Sequence, residues 1–307
     1  MTKKHSIAFA IILLVKSTIS FSQNSASDLL DILKDDSLDT TPIYTTSTFK
    51  TTRVINGQSV ESVAPRHLDF RISHRFGKLS DGYAELWGLD QARIRMGLEY
   101  GINDRLMVGI GRSSHQKTWD YFAKYKLLKQ SNQKHHFASI SAYLAAFTNT
   151  MATSPARKFY NNTERQSYCG QIIIAKKIND KLSLQLSPTF LHNNKTETLF
   201  DENDIFSIGW GGRYKISKRT SFNLEYYYTP QKIGENYQRD PLFKNNLSLG
   251  FDIETGGHVF QLHLSNSRGV IESQYIGSTD GSWSNGDIFY GFNISRVFSF
   301  DKKQSKK

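Results

Sequence analysis

From residue 66 to residue 300 the chain is built of segments of about ten residues in which apolar and polar side chains alternate. Val108-Gly-Ile-Gly, Leu182-Ser-Leu-Gln-Leu and Leu247-Ser-Leu-Gly-Phe are fragments of this pattern. A period of two gives each strand one apolar and one polar face. Such strands suit a soluble sandwich with its apolar face inward, or a membrane barrel with its apolar face outward. Alternation alone does not choose between them.

The connections do choose. Short turns fall at Ile102-Asn-Asp, Asn179-Asp, Ser217-Lys and Thr255-Gly, with the linker 130–134 in the same set. Asn, Asp and Gly take positive φ readily, which tight hairpins require. Between these turns lie longer stretches at 78–89, 149–164, 194–203, 230–242 and 268–286; only 114–117 is brief for its side. Regular switching of short turns and long loops, with strands of about 9–11 residues, is the pattern of an outer-membrane barrel. The expected strands are 66–77, 90–101, 105–113, 118–129, 135–148, 165–178, 181–193, 204–216, 219–229, 243–254, 257–267 and 287–300. The fold expected is therefore all-β: an antiparallel up-and-down transmembrane barrel of about twelve strands, with short periplasmic turns and long extracellular loops.

The ends of the chain fit export. Lys3, Lys4 and His5 precede an apolar run at 6–15, and small residues at Ser20 and Ser22 place cleavage before Gln23, so residues 1–22 read as a signal peptide. Residues 23–65 read as a periplasmic linker segment. It holds a short amphipathic helix from Ser27 and a hairpin marked by Asn56-Gly57, lying before the barrel or tucked into its mouth. Residues 66–300 form the barrel, and 301–307 a basic tail. Mean hydropathy is −0.48, as expected where half of each strand faces a polar lumen. No later apolar run approaches the roughly 18 residues of a membrane helix.

Cys169, the one cysteine, can form no internal disulfide and reads as an ordinary strand residue. The formal charge of +11 is inflated by Lys3, Lys4 and Lys16 in the signal and by Lys302, Lys303, Lys306 and Lys307 in the tail. The barrel is only mildly basic, and a nucleic-acid partner is not expected. The partners expected are the lipid bilayer, the barrel-assembly machinery and small anionic solutes. The assembly partner rests on the alternating aromatics that close the last strand at Phe300.

Leu68, Phe70, Ile72 and Phe76 share one face of the first strand, and Asp69, Arg71, Ser73 and Arg75 the other. In the second, Arg93, Arg95 and Glu99 oppose Ile94, Met96, Leu98 and Tyr100. The charged parity belongs to the lumen. Arg71, Arg75, Arg93, Arg95, Asp69 and Glu99 thus form a candidate lumen charge track. It serves either as a basic path favouring anions or as an ion-pair network that fills the barrel.

Phe49-Lys-Thr-Thr-Arg-Val-Ile-Asn-Gly, Asp69-Phe-Arg-Ile-Ser-His-Arg-Phe-Gly, Gly97-Leu-Glu-Tyr-Gly, Lys124-Tyr-Lys-Leu-Leu and Gly250-Phe-Asp-Ile-Glu-Thr-Gly-Gly-His-Val-Phe-Gln together resemble an uncharacterised outer-membrane β-barrel family of the Bacteroidota. The resemblance implies fold and location and brings no catalytic residues.

The leading functional reading is an outer-membrane barrel that passes small anionic solutes passively. The alternative is a closed structural barrel whose extracellular loops bind a partner or ligand, with Tyr275 and Trp283 in the longest loop. A remote alternative is a lipid-modifying enzyme built on His263, Ser265 and Asn266, but His263 and Ser265 share the lumen parity, away from lipid. No catalytic residue, metal site or cofactor is expected. His135-His136 lacks the carboxylate or cysteine partners of a zinc site, and Asp280 and Asp287 have no calcium-loop spacing.

Overall fold

A computed structural model describes residues 41–154 and 158–300. The chain divides into Met1–Pro42 and Ile43–Lys307, and the second unit is described below. The signal peptide, the helix expected from Ser27 and the basic tail lie outside the described residues.

Fourteen strands follow in order: β1 (His67–Lys78), β2 (Arg93–Gly101), β3 (Leu106–Ser113), β4 (Thr118–Leu128), β5 (Ser139–Asn149), β6 (Gln166–Lys177), β7 (Leu182–Asn193), β8 (Asp204–Lys215), β9 (Thr220–Tyr228), β10 (Lys232–Ile233), β11 (Tyr237–Gln238), β12 (Asn246–Thr255), β13 (His258–Ser265) and β14 (Phe289–Ser299). Among the described residues one four-residue α-helix, α1 (Glu272–Tyr275), precedes β14. β10 and β11 pair only with each other, in one long loop; the other twelve strands close an antiparallel barrel in which β1 pairs with both β2 and β14. Barrel closure leaves no open edge, so every strand finds its backbone partners without water. No helix of the described residues is long and apolar enough to cross a membrane.

The side chains settle which face is which. Ile94, Met96, Leu98, Phe206, Trp210, Phe251 and Leu262 are exposed on the outer wall, and Leu144 is 67% exposed. The opposite parity is buried and carries Asp69, Arg71, Arg95, Glu99, Asp120, Lys124, Glu225 and Asp252. A soluble sandwich would show the reverse. This inside-out distribution is stable only where hydrocarbon surrounds the wall.

The tight turns work by a different device from the one the sequence suggested. Asn103 and Asn179 do not take positive φ. Their Oδ1 atoms instead accept the N–H groups of Arg105 and Leu106, and of Lys181 and Leu182, at 2.8–2.9 Å. The Ser217 hydroxyl receives the same pair of bonds from Arg219 and Thr220. These are side-chain mimics of a turn, which short polar residues favour. Only at Gly257, φ 117°, does a left-handed residue close one of the four turns.

Candidate functional site

The lumen is occupied by the chain itself. Residues 43–46 run along the short-turn end, where the Thr45 N–H donates to the Gln130 carbonyl at 2.8 Å and Tyr44 bridges Ser131. The chain then enters the barrel, turns at 54–57 and returns to Pro65, which bridges Gly101 at the foot of β2. Arg53 and Gln58 pair across this hairpin, the Val54 N–H donates to the Gly57 carbonyl, and the Ser59 N–H donates to Thr52. Thr48, Phe49, Val54, Ile55, Asn56, Gln58 and Ser59 are all buried. The Asn56-Gly57 signal does mark a hairpin. Gly57 is required there for close approach, since a Cβ would lie 2.0 Å from the Tyr227 hydroxyl.

Strands on several sides grip the hairpin. At its tip the Glu225 carboxylate, on β9, accepts the backbone N–H groups of Ile55, Asn56 and Gly57 at 2.8–3.2 Å. Gln261 on β13 donates to the Val54 carbonyl and Asn293 on β14 to that of Ile55, each at 3.1 Å. Asn56 donates to Ser248 at 2.9 Å and accepts from Arg75. On the returning limb, Lys124 donates to the Ser59 carbonyl at 3.0 Å, and Gln185 both donates to Gln58 and accepts from the Val60 N–H. Bonds to ionised groups contribute roughly 1.5–3 kcal/mol each, so the seat is specific.

Of the six residues expected to form a charge track, Asp69, Arg71, Arg75 and Glu99 lie around this seat, and Arg93 and Arg95 do not. Arg71, 1% exposed, donates to Thr52 at 3.0 Å and to Asp69 at 3.1 Å. Glu99, fully buried, accepts from Thr52 and stands 3.8 Å from Arg53 of the hairpin. Arg75 reaches the hairpin through Asn56. Arg95 is engaged elsewhere: it grips Asp120 on β4 through two bonds of 2.9 and 2.5 Å. Gly97 and Gly111 make room for it, since a Cβ on either would fall within 2.5 Å of its guanidinium. Arg93 shares the parity of Arg95 but begins β2 at the outer end and is exposed, so it joins no lumen network. With Arg71 and Arg95 each 1% exposed, no open path runs past them in this conformation.

A second piece of chain fills the lumen from the opposite end. The loop 268–286 was expected to project outward with Tyr275 and Trp283 available to a partner. Instead Val270, Ile271, Tyr275 and Ile276 are buried in the barrel core, and Trp283 donates to the Leu247 carbonyl at 3.1 Å. Tyr275 packs on Tyr227, 5.0 Å between rings, and Glu272 reaches Arg53 at 3.4 Å. Burial of this apolar run drives the loop inward, and the outer-end contacts of Arg239 with the Ile276 and Gly277 carbonyls hold it there. The signal available in the sequence was Val270-Ile-Glu-Ser-Gln-Tyr-Ile, too apolar for a loop in water.

The remaining sequence candidates resolve plainly. His263 and Ser265 face the lumen, and no hydrogen bond joins them: the Ser265 hydroxyl accepts from Ser248 and Asn246, and neither ring nitrogen of His263 has a partner. A nucleophile without its base has no route to acyl transfer. Asp287 is held by Lys78, Ser80 and the Ser282 N–H. Cys169 is a buried, lumen-facing residue of β6.

A closed antiparallel barrel with an apolar outer wall and a polar, self-occupied lumen defines an outer-membrane-type β-barrel protein. The chain belongs to the family described as the membrane bound beta barrel domain (DUF5777), whose profile matches residues 49–298, hairpin included. No curated protein matches the sequence. Among solved structures it is similar to the KdgM porin, with 10% identity, TM-score 0.44, and coverage of 76% of this chain and 99% of that one. It is also similar to an outer membrane channel from Pseudomonas putida F1, with 13% identity, TM-score 0.47, and coverage of 78% and 97%. Outer membrane phospholipase A from Escherichia coli is a third, with 9% identity, TM-score 0.43, and coverage of 76% and 91%.

Proposed function

We propose that this outer-membrane barrel is a channel for small anionic solutes, held shut by its own hairpin 48–63. The observation that carries the reading is the state of two buried cations. Arg75 and Lys124 have no carboxylate within 4.0 Å among the described residues, and their partners include neutral oxygens of the hairpin. Withdrawal of the hairpin removes those oxygens and leaves both cations facing the lumen, Arg75 toward Glu225 and Lys124 toward Glu99, and cations lining a lumen favour anions. The limb 43–46 is held at the short-turn end by a few backbone bonds to residues 130–132, so that end is the exit. In this reading the protein is not an enzyme. Residues 1–22 direct its export and are cleaved, the barrel-assembly machinery inserts it, and its source is a member of the Bacteroidota.

A second reading has its own observation. Leu199 is 96% exposed, and Phe200, Tyr160 and Tyr83 are also exposed on the long loops. Large apolar side chains in water suit a permanently closed barrel whose loops hold a partner. Planar-bilayer recording of the refolded full chain separates the two. A channel is mostly closed and opens with an anion-shifted reversal potential; Glu225→Ala raises the open fraction, and Arg75→Gln with Lys124→Gln lowers the anion preference. Absence of conductance at every voltage in both wild type and Glu225→Ala removes the channel reading.

A further inference from the structure

The two ends of the barrel carry charge differently. At the long-loop end three cations pair with acids, Lys195 with Glu164 at 2.9 Å, Arg239 with Asp201 at 3.0 Å, and Lys78 with Asp287 at 3.1 Å, while Arg93, Lys232 and Lys244 are exposed with no carboxylate within 4.0 Å among the described residues. At the short-turn end, the four turns between β2 and β9 carry Arg105, Lys129, Lys134, Lys181, Lys218 and Arg219, all exposed, against the acids Asp104 and Asp180. Among the described residues of these turns the one ion pair is Lys177 with Asp180 at 3.8 Å.

The cations have a consistent neighbour. Ile102 precedes Arg105, Leu127 precedes Lys129, Ile178 precedes Lys181 and Ile216 precedes Lys218, and all four apolar residues are exposed. An exposed apolar side chain at the end of a membrane strand sits at the acyl boundary, and a cation two or three residues further on reaches the headgroup layer. The four turns are neighbours in barrel order, so they form one arc of the rim. The remaining short turn, between β12 and β13, departs from the pattern: Glu254 stands there, paired with Lys50.

We propose that this arc binds the phosphate headgroups of anionic phospholipids in the leaflet that the short turns face. The spacing supplies both requirements of such a site: an apolar contact for the acyl chain and an unpaired cation for the phosphate, repeated over four turns. The site is independent of whether the lumen conducts, and it fixes the barrel in depth and tilt on one side.

Native mass spectrometry of the refolded full chain, offered equal phosphatidylglycerol and phosphatidylcholine, tests this. Wild type is expected to retain phosphatidylglycerol preferentially. In the variant Arg105→Gln/Lys129→Gln/Lys181→Gln/Lys218→Gln the ratio falls toward parity, by up to about fivefold per removed charge at low salt. Lys195→Gln, at the opposite end, leaves the ratio unchanged. Heat-modifiable gel mobility checks that the variants remain barrels; if the fourfold variant does not fold, wild type at low and high salt replaces it, and the preference must collapse at high salt. Parity in wild type, an unaltered ratio in the variant, or a preference that survives high salt overturns the proposal. So does a third arm in which lipid A is retained through these residues and phosphatidylglycerol is not.

Discussion

The two sides of the lumen wall hold the hairpin by different physics. On β1, β2, β4, β9 and β12 the inward residues include Asp69, Arg71, Arg75, Arg95, Glu99, Asp120, Lys124, Glu225 and Asp252. On β5 to β8 the buried inward residues carry no charge. They are Tyr143, Ala145, Phe147, Cys169, Ile173, Ala175, Leu191 and Ile205, with neutral Ser, Thr, Asn and Gln between them. Phe49, Val54, Val60 and Val63 of the hairpin join the same apolar cluster as these, together with Ile271 and Tyr275 of the inward loop. One wall is a directional, ionic grip and the other a largely apolar seal, interrupted by the Gln185 bonds to Gln58 and Val60. Polar atoms that make no hydrogen bond gather at the ionic grip: Arg53 Nε and Nη2, Arg71 Nε, Arg75 Nε, Asp69 Oδ1, Glu99 Oε1 and Glu272 Oε2. Buried groups of that kind are where water enters, so in the proposed channel the path would open along the charged wall first.

The comparison can be broken in several ways. Asp120→Ala strands the Arg95 guanidinium in the charged wall and is expected to cost about 3–5 kcal/mol, read as a lower urea midpoint of barrel unfolding. A loss below about 1 kcal/mol would show that the wall is wetter than the contacts indicate. Next comes the contact between the two lumen-filling segments. A double-mutant cycle of Arg53→Gln and Glu272→Gln is expected to show a coupling of about 0.5–3 kcal/mol; zero coupling means that hairpin and loop are seated independently. On the neutral wall, Ile173→Val removes one methylene from the seal and is expected to cost about 0.5–1.5 kcal/mol, with anion preference unchanged in bilayer recording.

The smallest effect sits on the rim above the neutral wall. The Lys195 ammonium and the Tyr160 N–H hold the Glu164 carboxyl below its ordinary value. A depressed carboxylate favours the folded state above its unfolded pKa, and the contribution fades as pH falls through the lowered folded value. Carbon-13 titration of Glu164 is therefore expected to move up toward, but not fully to, the ordinary carboxylate range in Lys195→Gln. An unmoved titration would assign the depression to Tyr160 alone.

Much of this molecule was legible residue by residue. The alternation in Leu182-Ser-Leu-Gln-Leu places Leu184 and Leu186 outward and Ser183 and Gln185 inward, as found, because a pleated strand has only two faces. Asp69, Arg71, Arg75, Arg95 and Glu99 were placed inward by the same rule, while Arg93 escaped it because a strand end opens to solvent. The neutral wall was harder to see. In β5 both parities are apolar, with Tyr143 and Phe147 inward beside Leu144 outward, and a strand apolar on both faces hides which contacts the lumen needs.

What lay beyond the sequence was the contents of the barrel. The hairpin signal at Asn56-Gly57 was local, but its seat was not: Glu225 lies 169 residues from Asn56, and Asn293 lies 238 from Ile55. The loop holding Tyr275 and Trp283 was read as outward because long loops usually are, and only its fit against Tyr227 and Arg53 turns it inward. A period of two is written in consecutive residues and fixes the strands and which side chains share a face, and the switching of short turns and long loops adds the membrane. Occupancy of a lumen depends on which distant side chains closure of the sheet brings together, and that is decided only when β1 meets β14.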